Sequence, residues 1–165
     1  AEGRERANRL REGSQDYQDL GASLGQVYGE RAADSSSPSL RLNVEGTPKP
    51  LRHDAAEEVF LIGREALLNA LQHAAAEALD IELVYARRGL RLHIRDDGSG
   101  LPATLPDGRW GLVGMRERAE RLGGRLRLWS RPSVGTEIEL FLPGERIYRH
   151  PRRRWYGRRT SGETA

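Results

Sequence analysis

The amino-acid sequence predicts a two-layer α/β sandwich, in which one mixed, mainly antiparallel sheet carries helices on one of its faces. Two observations support this prediction. Short segments of alternating polar and apolar residues, typical of half-buried strands, are interspersed with longer segments that have helical spacing. A tight turn also joins two of the strands directly, which makes them antiparallel neighbours. A sheet of this kind buries one face under helices and leaves the other face in water.

The first predicted element is an N-terminal helix over residues 1–33, in which leucine and valine recur at helical spacing. Since no capping residue precedes it, we expect this segment to be the cut end of a longer helix. A short serine-rich linker follows at residues 34–39. The next segment, 40–44, alternates between apolar and polar residues and is predicted to be the first strand.

Residues 40–144 are predicted to form one domain. A long helix begins at Asp54, a suitable N-cap, and continues to about residue 76. A second helix ends just before Gly123, because glycine commonly follows the last turn of a helix. The other elements of the domain, in chain order, are strands at 81–86 and 90–95, a loop with three glycines and two prolines at 97–110, the second helix at 112–122, and strands at 125–130 and 136–142.

Composition narrows the class of protein. The 165 residues suffice for one domain with tails, and no apolar run reaches the roughly 18 residues of a membrane span. Cysteine is absent, which excludes disulfides and cysteine metal sites. Residues 145–165 hold seven arginines and two glutamates, a charge of +5, so the other 144 residues carry about −2 of the total of +3. We therefore predict a basic disordered tail at 145–165 and a body that is not a nucleic-acid binder.

The long helix carries three polar residues of different chemistry on one side. Glu65, Asn69 and His73 are spaced four residues apart, which places them within an arc of about 80°. A carboxylate can accept a proton, and an amide oxygen is a suitable ligand for magnesium. The apolar residues that we expect to face the sheet occupy the neighbouring arc: Val59, Ile62, Ala66, Ala70 and Leu71. The alternative is that the three polar residues are only the flank of an amphipathic helix.

A second motif follows the strand at 90–95, where Asp96 and Asp97 precede Gly98 and Gly100. The carboxylate of Asp96 can accept a hydrogen bond from the exocyclic amine of adenine, whereas guanine offers an oxygen in that position. The glycines let the backbone approach a flat ring closely. Taken alone, the same pattern is also typical of a solvated turn.

Two further motifs are weaker when each stands alone. In the stretch G-R-W-G-L-V-G-M-R-E-R at 108–118, glycines precede a helix whose N-terminal N–H groups can attract phosphate, and mobile glycines suit a lid. Nearer the C-terminus, Gly135 and Thr136 place a hydroxyl at the start of the last strand. This last motif by itself predicts only a strand.

Taken together, the four motifs resemble the ATP-binding catalytic domain of bacterial sensor histidine kinases: E-x-x-x-N-x-x-x-H, D-x-G-x-G, G-L-x-G-M-R-E-R and G-T before a strand. The resemblance covers residues 40–143 and is strongest to the subclass that partners LuxR/NarL-type response regulators. It implies the Bergerat fold, which DNA gyrase and mismatch-repair ATPases share. It also implies that the domain binds ATP and Mg²⁺ and transfers the γ-phosphoryl group to a histidine.

The resemblance implies a role for each motif. Glu65 would be the base that aids phosphotransfer, Asn69 would hold Mg²⁺ against the phosphates, and His73 would line the phosphate side. Asp96 would accept a hydrogen bond from adenine N6. The other residues implied in ATP binding are Gly98 and Gly100 at the adenine, Gly111, Leu112, Gly114 and Met115 in the lid motif, and Thr136, which would reach the adenine through water. Gln72 departs from the pattern, because many relatives carry lysine there.

The resemblance also implies a homodimeric parent kinase, whose dimerisation domain carries the phosphoacceptor histidine, and a LuxR/NarL-type response regulator as partner. The location would be cytoplasmic, within a parent that can be anchored in a membrane. Residues 1–33 resemble the end of the dimerisation region. None of the four histidines suits the acceptor, and His53 stands only twelve residues before Glu65, at the start of the long helix. We therefore expect a fragment that binds Mg-ATP and does not phosphorylate itself.

Two alternatives stay open. An ATPase or an anti-sigma-type serine kinase would use the same fold, and only the helix at 1–33 favours the histidine kinase. The arginines around Trp155 and Tyr156 could instead contact nucleic acid or anionic lipid. We expect no such contact, because a solubilising tail has the same composition.

Overall fold

A computed structural model describes residues 17, 19–32, 36–73, 75–102 and 111–149. Within these ranges the chain forms four helices and five strands. In chain order they are α1 (Leu20–Arg31), β1 (Ser39–Glu45), α2 (His53–His73), β2 (Ala78–Ala86), β3 (Gly89–Asp96), α3 (Leu112–Arg121), β4 (Arg125–Arg131), β5 (Gly135–Pro143) and α4 (Gly144–Ile147). None of the described helices has both the length and the apolar character that crossing a bilayer requires.

The five strands form one mixed sheet in the order β1-β2-β3-β5-β4. β1 and β2 are parallel, and α2 lies in the crossover between them. The other neighbours are antiparallel, and the turn at Arg87 and Arg88 confirms the predicted hairpin of β2 and β3. β5 lies between β3 and β4, so the chain first forms the edge strand β4 and then returns to fill the gap.

The two faces of the sheet have opposite character. Leu90, Leu92 and Ile94 of β3 are at most 3% exposed, as the alternation predicts. The opposite face carries charged side chains on neighbouring strands. His93 is half-buried there, and its Nε2 lies 2.7 Å from Oε1 of Glu137. The apolar face is the one that the helices cover.

α2 lies centrally on the apolar face. Four of the five residues predicted to face the sheet are buried, and Leu71 is half-buried. Gly63 lets three elements meet, because a Cβ at this position would stand 3.0 Å from Leu24 of α1 and 3.1 Å from Leu92 of β3. The two-layer arrangement with helices on one face is therefore confirmed.

The ends of α2 differ from the prediction. The helix begins at His53, so Asp54 lies in its first turn and pairs with Arg52 at 2.6 Å instead of serving as the N-cap. The helix ends at His73, three residues earlier than predicted. Ala75 has a φ of +47°, which is outside the helical region and ends any continuation.

The N-terminal helix is part of the same core. Leu20 and Leu24 of α1 are fully buried, and the hydroxyl of Tyr28 donates to the carbonyl oxygen of Pro38 at 2.7 Å. The described part of the predicted segment 1–33 therefore packs on the domain as one of its layers. Residues 1–16, 18 and 33, which the same prediction covers, lie outside the described residues.

The C-terminal boundary also needs a correction. Ile147 at the end of α4 is fully buried, and Tyr148 is 9% exposed. The hydroxyl of Tyr148 lies 2.9 Å from the carbonyl oxygen of Ala86 and 3.0 Å from that of Gly89. The prediction of a disordered tail is therefore wrong for 145–149, because two apolar residues among the charges dock on the sheet. Residues 150–165 lie outside the described residues.

Candidate functional site

A cavity opens between the C-terminal half of α2 and the end of the sheet that carries Asp96. The space between its walls amounts to about 410 Å³ when its open mouth is included. Its wall is mostly apolar, with few polar groups. The lining residues are Ala66, Asn69, Ala70, His73, Ile94, Asp96, Gly100, Leu101, Leu112, Leu128, Thr136 and Ile138.

The predicted site residues divide into two groups. Six of the eleven line the cavity, namely Asn69, His73, Asp96, Gly100, Leu112 and Thr136. The other five are not among its lining residues, namely Glu65, Gly98, Gly111, Gly114 and Met115. Most of the second group lies at the start of α3 or against it. The fold therefore brings the predicted residues to one region with two adjoining parts.

Asp96 is the buried acid of this region, with 7% of its surface exposed. Its Oδ1 accepts hydrogen bonds from the N–H of Gly98 at 3.0 Å and of Thr136 at 3.3 Å. No donor among the described residues reaches Oδ2, which leaves this oxygen for a ligand in the cavity. Burial raises the pKa of the Asp96 carboxyl, and the two backbone hydrogen bonds oppose that shift.

Asp97, the second acid of the pair, has a different role. Its Oδ1 accepts the N–H groups of Glu77 and Ala78, both at 2.9 Å, and so ties down the residues that lead into β2. These hydrogen bonds, with that from Ala78 foremost, lower the pKa of the Asp97 carboxyl. Asp97 does not line the cavity. Of the two adjacent carboxylates, Asp96 thus lines the cavity, whereas Asp97 holds the backbone that leads into β2.

Ser130 of β4, which the sequence did not single out, contacts two residues of the cavity wall. Its Oγ accepts the N–H of Leu101 at 2.7 Å and lies 3.2 Å from Oγ1 of Thr136. It therefore fixes the loop at one wall of the cavity and orients the threonine hydroxyl. The alternation in β4 contained the signal, since Leu126, Leu128 and Ser130 share one side of the strand.

Glu65 lies one helical turn before Asn69 and is half-buried against the start of α3. Gly111, the residue before α3, has a φ of +58°, and a Cβ there would stand 2.5 Å from Oε1 of Glu65. A side chain at position 111 would therefore displace the carboxylate. This contact places the candidate base directly beside the helix that follows the lid motif.

The N-terminus of α3 has no side-chain cap, so its first N–H groups are not satisfied by a capping residue. Leu112 lines the cavity, whereas Met115 is 1% exposed and belongs to the core. Gly114 lies in the first turn, and a Cβ on it would meet no described atom within 4 Å. Residues 103–110, which hold the rest of the predicted lid, lie outside the described residues.

The residues of the site could hold a metal ion only if a bound molecule, such as a phosphate, supplied further oxygen ligands. No group of three or more His, Asp or Glu side chains in the described ranges could hold a metal ion by itself. Asn69, whose side chain carries an amide oxygen, lines the cavity. Magnesium prefers oxygen ligands, including phosphates, and commonly takes only one or two from the protein.

Comparisons with known proteins agree with this geometry. The profile of the family described as "Histidine kinase-, DNA gyrase B-, and HSP90-like ATPase" matches residues 55–146, more than half of the chain. The matched segment runs from α2 to α4 and so contains the whole cavity.

Several curated relatives are sensor proteins or kinases. The chain is 43% identical over 104 residues to the nitrate/nitrite sensor protein NarQ of Escherichia coli, covering 61% of this chain and 18% of that protein. It is 39% identical over 85 residues to the signal transduction histidine-protein kinase/phosphatase UhpB of Salmonella typhimurium, covering 52% of this chain and 17% of that protein. The chain thus spans less than a fifth of the length of these relatives.

Solved structures show the same fold. The histidine kinase domain of a blue-light activated histidine kinase from Erythrobacter litoralis matches with a TM-score of 0.60 at 25% identity. The match covers 77% of this chain and 63% of that chain. The five-stranded mixed sheet with its helices is therefore the fold of histidine kinase ATPase domains, as the sequence predicts.

Proposed function

Because the chain belongs to the histidine kinase-, DNA gyrase B- and HSP90-like ATPase family, we propose that the cavity beside Asp96 binds the adenine of ATP. The observation that carries the proposal is the buried Asp96 carboxylate, whose Oδ1 is bonded to the backbone while Oδ2 is left for a ligand. The amine at C6 of adenine donates to this oxygen. Guanine has an oxygen at the same place, which would set acceptor against acceptor, so ATP is preferred over GTP.

The phosphates extend from the cavity past Asn69 toward the start of α3. The uncapped N–H groups and the dipole of α3 favour negative charge there. Asn69 holds Mg²⁺ together with the phosphate oxygens, and His73 lines the same side. The bound magnesium neutralises charge on the phosphates.

The activity that fits this site is protein-histidine kinase activity. The γ-phosphoryl group leaves the oxygen that bridges the β- and γ-phosphates, forms a bond to an imidazole nitrogen of the acceptor histidine, and releases ADP. Glu65 acts as the base for the imidazole, and most of the catalysis is positioning and charge stabilisation. The name of UhpB, a histidine-protein kinase/phosphatase, and the similarity to a solved histidine kinase domain support this class of reaction.

The partners follow from the same reaction. The acceptor histidine lies on a dimerisation domain of a homodimeric parent, and a LuxR/NarL-type response regulator then takes the phosphoryl group. The similarity to the nitrate/nitrite sensors supports this choice of regulator class. The domain works in the cytoplasm, where ATP is available.

Calorimetry with ATP, with and without Mg²⁺, tests the nucleotide site. Asp96→Asn keeps the Oδ1 acceptor for both backbone bonds but turns a donor toward the adenine amine, so we expect ATP binding to weaken by about 1–3 kcal/mol. The variant should stay folded, because burial disfavours the charge that it removes.

Asp97→Asn is the matched control. It makes the same chemical change one residue away, on a side chain that does not line the cavity, and should leave ATP affinity unchanged. Folded native chain that binds no ATP would overturn the proposal. Equal losses in both variants would show that Asp96 acts only through the fold.

A further inference from the structure

We infer that Glu58 is a positioning residue for the nucleotide site, because its ion pairs to Arg118 and Arg121 set the register of α3 along α2. The N-terminus of α3 is thereby held at the phosphate side of the site. This inference rests on the proposed function, since it concerns how the protein presents that helix to ATP. Glu58 lies outside the cavity and touches none of its lining residues through these bonds.

Glu58 of α2 forms two ion pairs with α3, one from each oxygen of its carboxylate. Its Oε2 accepts from Nη1 of Arg118 at 2.8 Å, and its Oε1 accepts from Nη2 of Arg121 at 3.0 Å. Each carboxylate oxygen therefore has its own arginine. The side chains of Glu58 and Arg118 are 22% and 36% exposed, whereas that of Arg121 is 59% exposed, so solvent screens the pair with Arg118 less than the pair with Arg121.

The contact lies on the same stripe of α2 as the candidate catalytic residues. Glu58 precedes Glu65 by seven residues, which is about two helical turns and returns to the same side of the helix. On α3, Arg118 likewise follows Gly111 by seven residues. Gly111 lies against Glu65, and Arg118 lies against Glu58. The two helices therefore run antiparallel with matched spacing, and a contact at one end fixes the contact at the other.

α3 has few buried side chains of its own to fix its position along α2. Only Leu112, Met115 and Ala119 are buried within it, and five of its ten residues are charged. Gly114 further lowers its intrinsic helix propensity. Without the ion pairs, α3 can turn or shift along α2, and a shift of one turn would move its N-terminus by about 5.4 Å. A displacement of that size would remove the phosphates from its N–H groups.

The test compares ATP with adenosine on the native chain and on Glu58→Gln. Adenosine occupies the Asp96 end alone, whereas ATP also needs the start of α3. We expect Glu58→Gln to weaken ATP binding by about three- to tenfold and to leave adenosine binding unchanged. Calorimetry suits ATP, and ligand-observed NMR suits the weaker adenosine.

Two further variants separate positioning from general destabilisation. Asp80→Asn removes the pair with Arg41 at 3.5 Å, which lies on the opposite face of the sheet, and should change neither ligand. In a background of Arg118→Gln with Arg121→Gln, Glu58→Gln should cause no further loss, because its partners are already gone.

Each outcome decides a different question. If the native chain binds neither ligand, the proposed function fails, and the inference fails with it. If the native chain binds ATP and Glu58→Gln binds it equally well, the function stands and the positioning role is wrong. Equal weakening of ATP and adenosine, or a full additional loss in the double-arginine background, would also overturn the role of Glu58.

Discussion

Asp96 and Asp97 are neighbours in the chain, yet the fold moves their pKa values in opposite directions. Burial raises the pKa of Asp96, the acid that lines the cavity. Hydrogen bonds from the backbone, chiefly from Ala78, lower the pKa of Asp97. The position of Asp96 on the cavity wall agrees with the site predicted from the motif, and its role in adenine recognition stays a proposal. The hydrogen bonds that distinguish Asp97 from Asp96 could not be predicted, because the partners of Asp97 lie about twenty residues earlier in the chain.

The lowered pKa of Asp97 makes a prediction about acid stability. Its folded pKa lies below its unfolded value of about 3.9, so folding favours the ionised form. The resulting stabilisation is present above the unfolded pKa and is lost as the pH falls through the folded pKa. Urea unfolding of the native chain and of Asp97→Asn should show a difference in unfolding free energy at pH 7 that shrinks below about pH 4. A difference that stays constant with pH would contradict this account.

Gly114 offers a second prediction for a single residue. A Cβ at this position has open space among the described residues, so Gly114→Ala should stabilise the chain by about 0.5–1 kcal/mol through helix propensity. If phosphate approaches this turn, the added methyl group should at the same time weaken ATP binding several-fold. Thermal unfolding and ATP calorimetry measure the two effects.

Gly25→Ala in α1 is the control for Gly114→Ala. A Cβ on Gly25 also meets nothing within 4 Å, but the residue lies on a different helix from the phosphate site. It should raise stability without altering ATP affinity. Native-like ATP binding by Gly114→Ala would show that the glycine is not required by the ligand.

Among the elements, α2 and the β2–β3 hairpin could be predicted well. Their signals are local, since helical spacing and a two-residue turn fix them within a few residues. The parallel pairing of β1 with β2 and the insertion of β5 beside β3 had no local signal. The ion pairs of Glu58 and the docking of Ile147 were also missed, because each joins positions about sixty or more residues apart.

The short helix α4 leads to a prediction at the level of elements. Tyr148→Phe removes a hydroxyl that serves two carbonyl oxygens at the β2–β3 turn and should destabilise the fold by about 1–2 kcal/mol. ATP binding should be unchanged, because this turn lies the length of β3, about 24 Å, from the Asp96 end. Chemical denaturation and calorimetry test the two statements.

Tyr28→Phe provides the comparison for Tyr148→Phe. Its hydroxyl serves the carbonyl oxygen of Pro38 at a partly buried position, so its loss should cost less than that of Tyr148. If Tyr148→Phe unfolds no more readily than the native chain, α4 does not hold the end of the sheet as described.

On the scale of the whole molecule, the two ends of the sheet differ: one is open to the cavity, and the other is covered by the C-terminal part of the described chain. One end holds Asp96, Thr136 and the start of α3, and these groups surround the cavity. The other end is closed by Tyr148, and the N–H of Arg149 donates to Pro50 at 2.9 Å. The chain therefore continues from Arg149 at the end remote from the cavity.

The pairing of Leu51 with Tyr148 has a consequence for synthesis of the chain. Leu51, which lies just before α2, pairs with a residue nearly a hundred positions later in the chain. This bridge can form only after residue 148 has left the ribosome. β4 likewise waits for β5, its neighbour in the sheet. We expect the nascent domain to acquire its full cooperativity only after residue 148 has left the ribosome, and a truncation before Tyr148 to yield a chain prone to proteolysis.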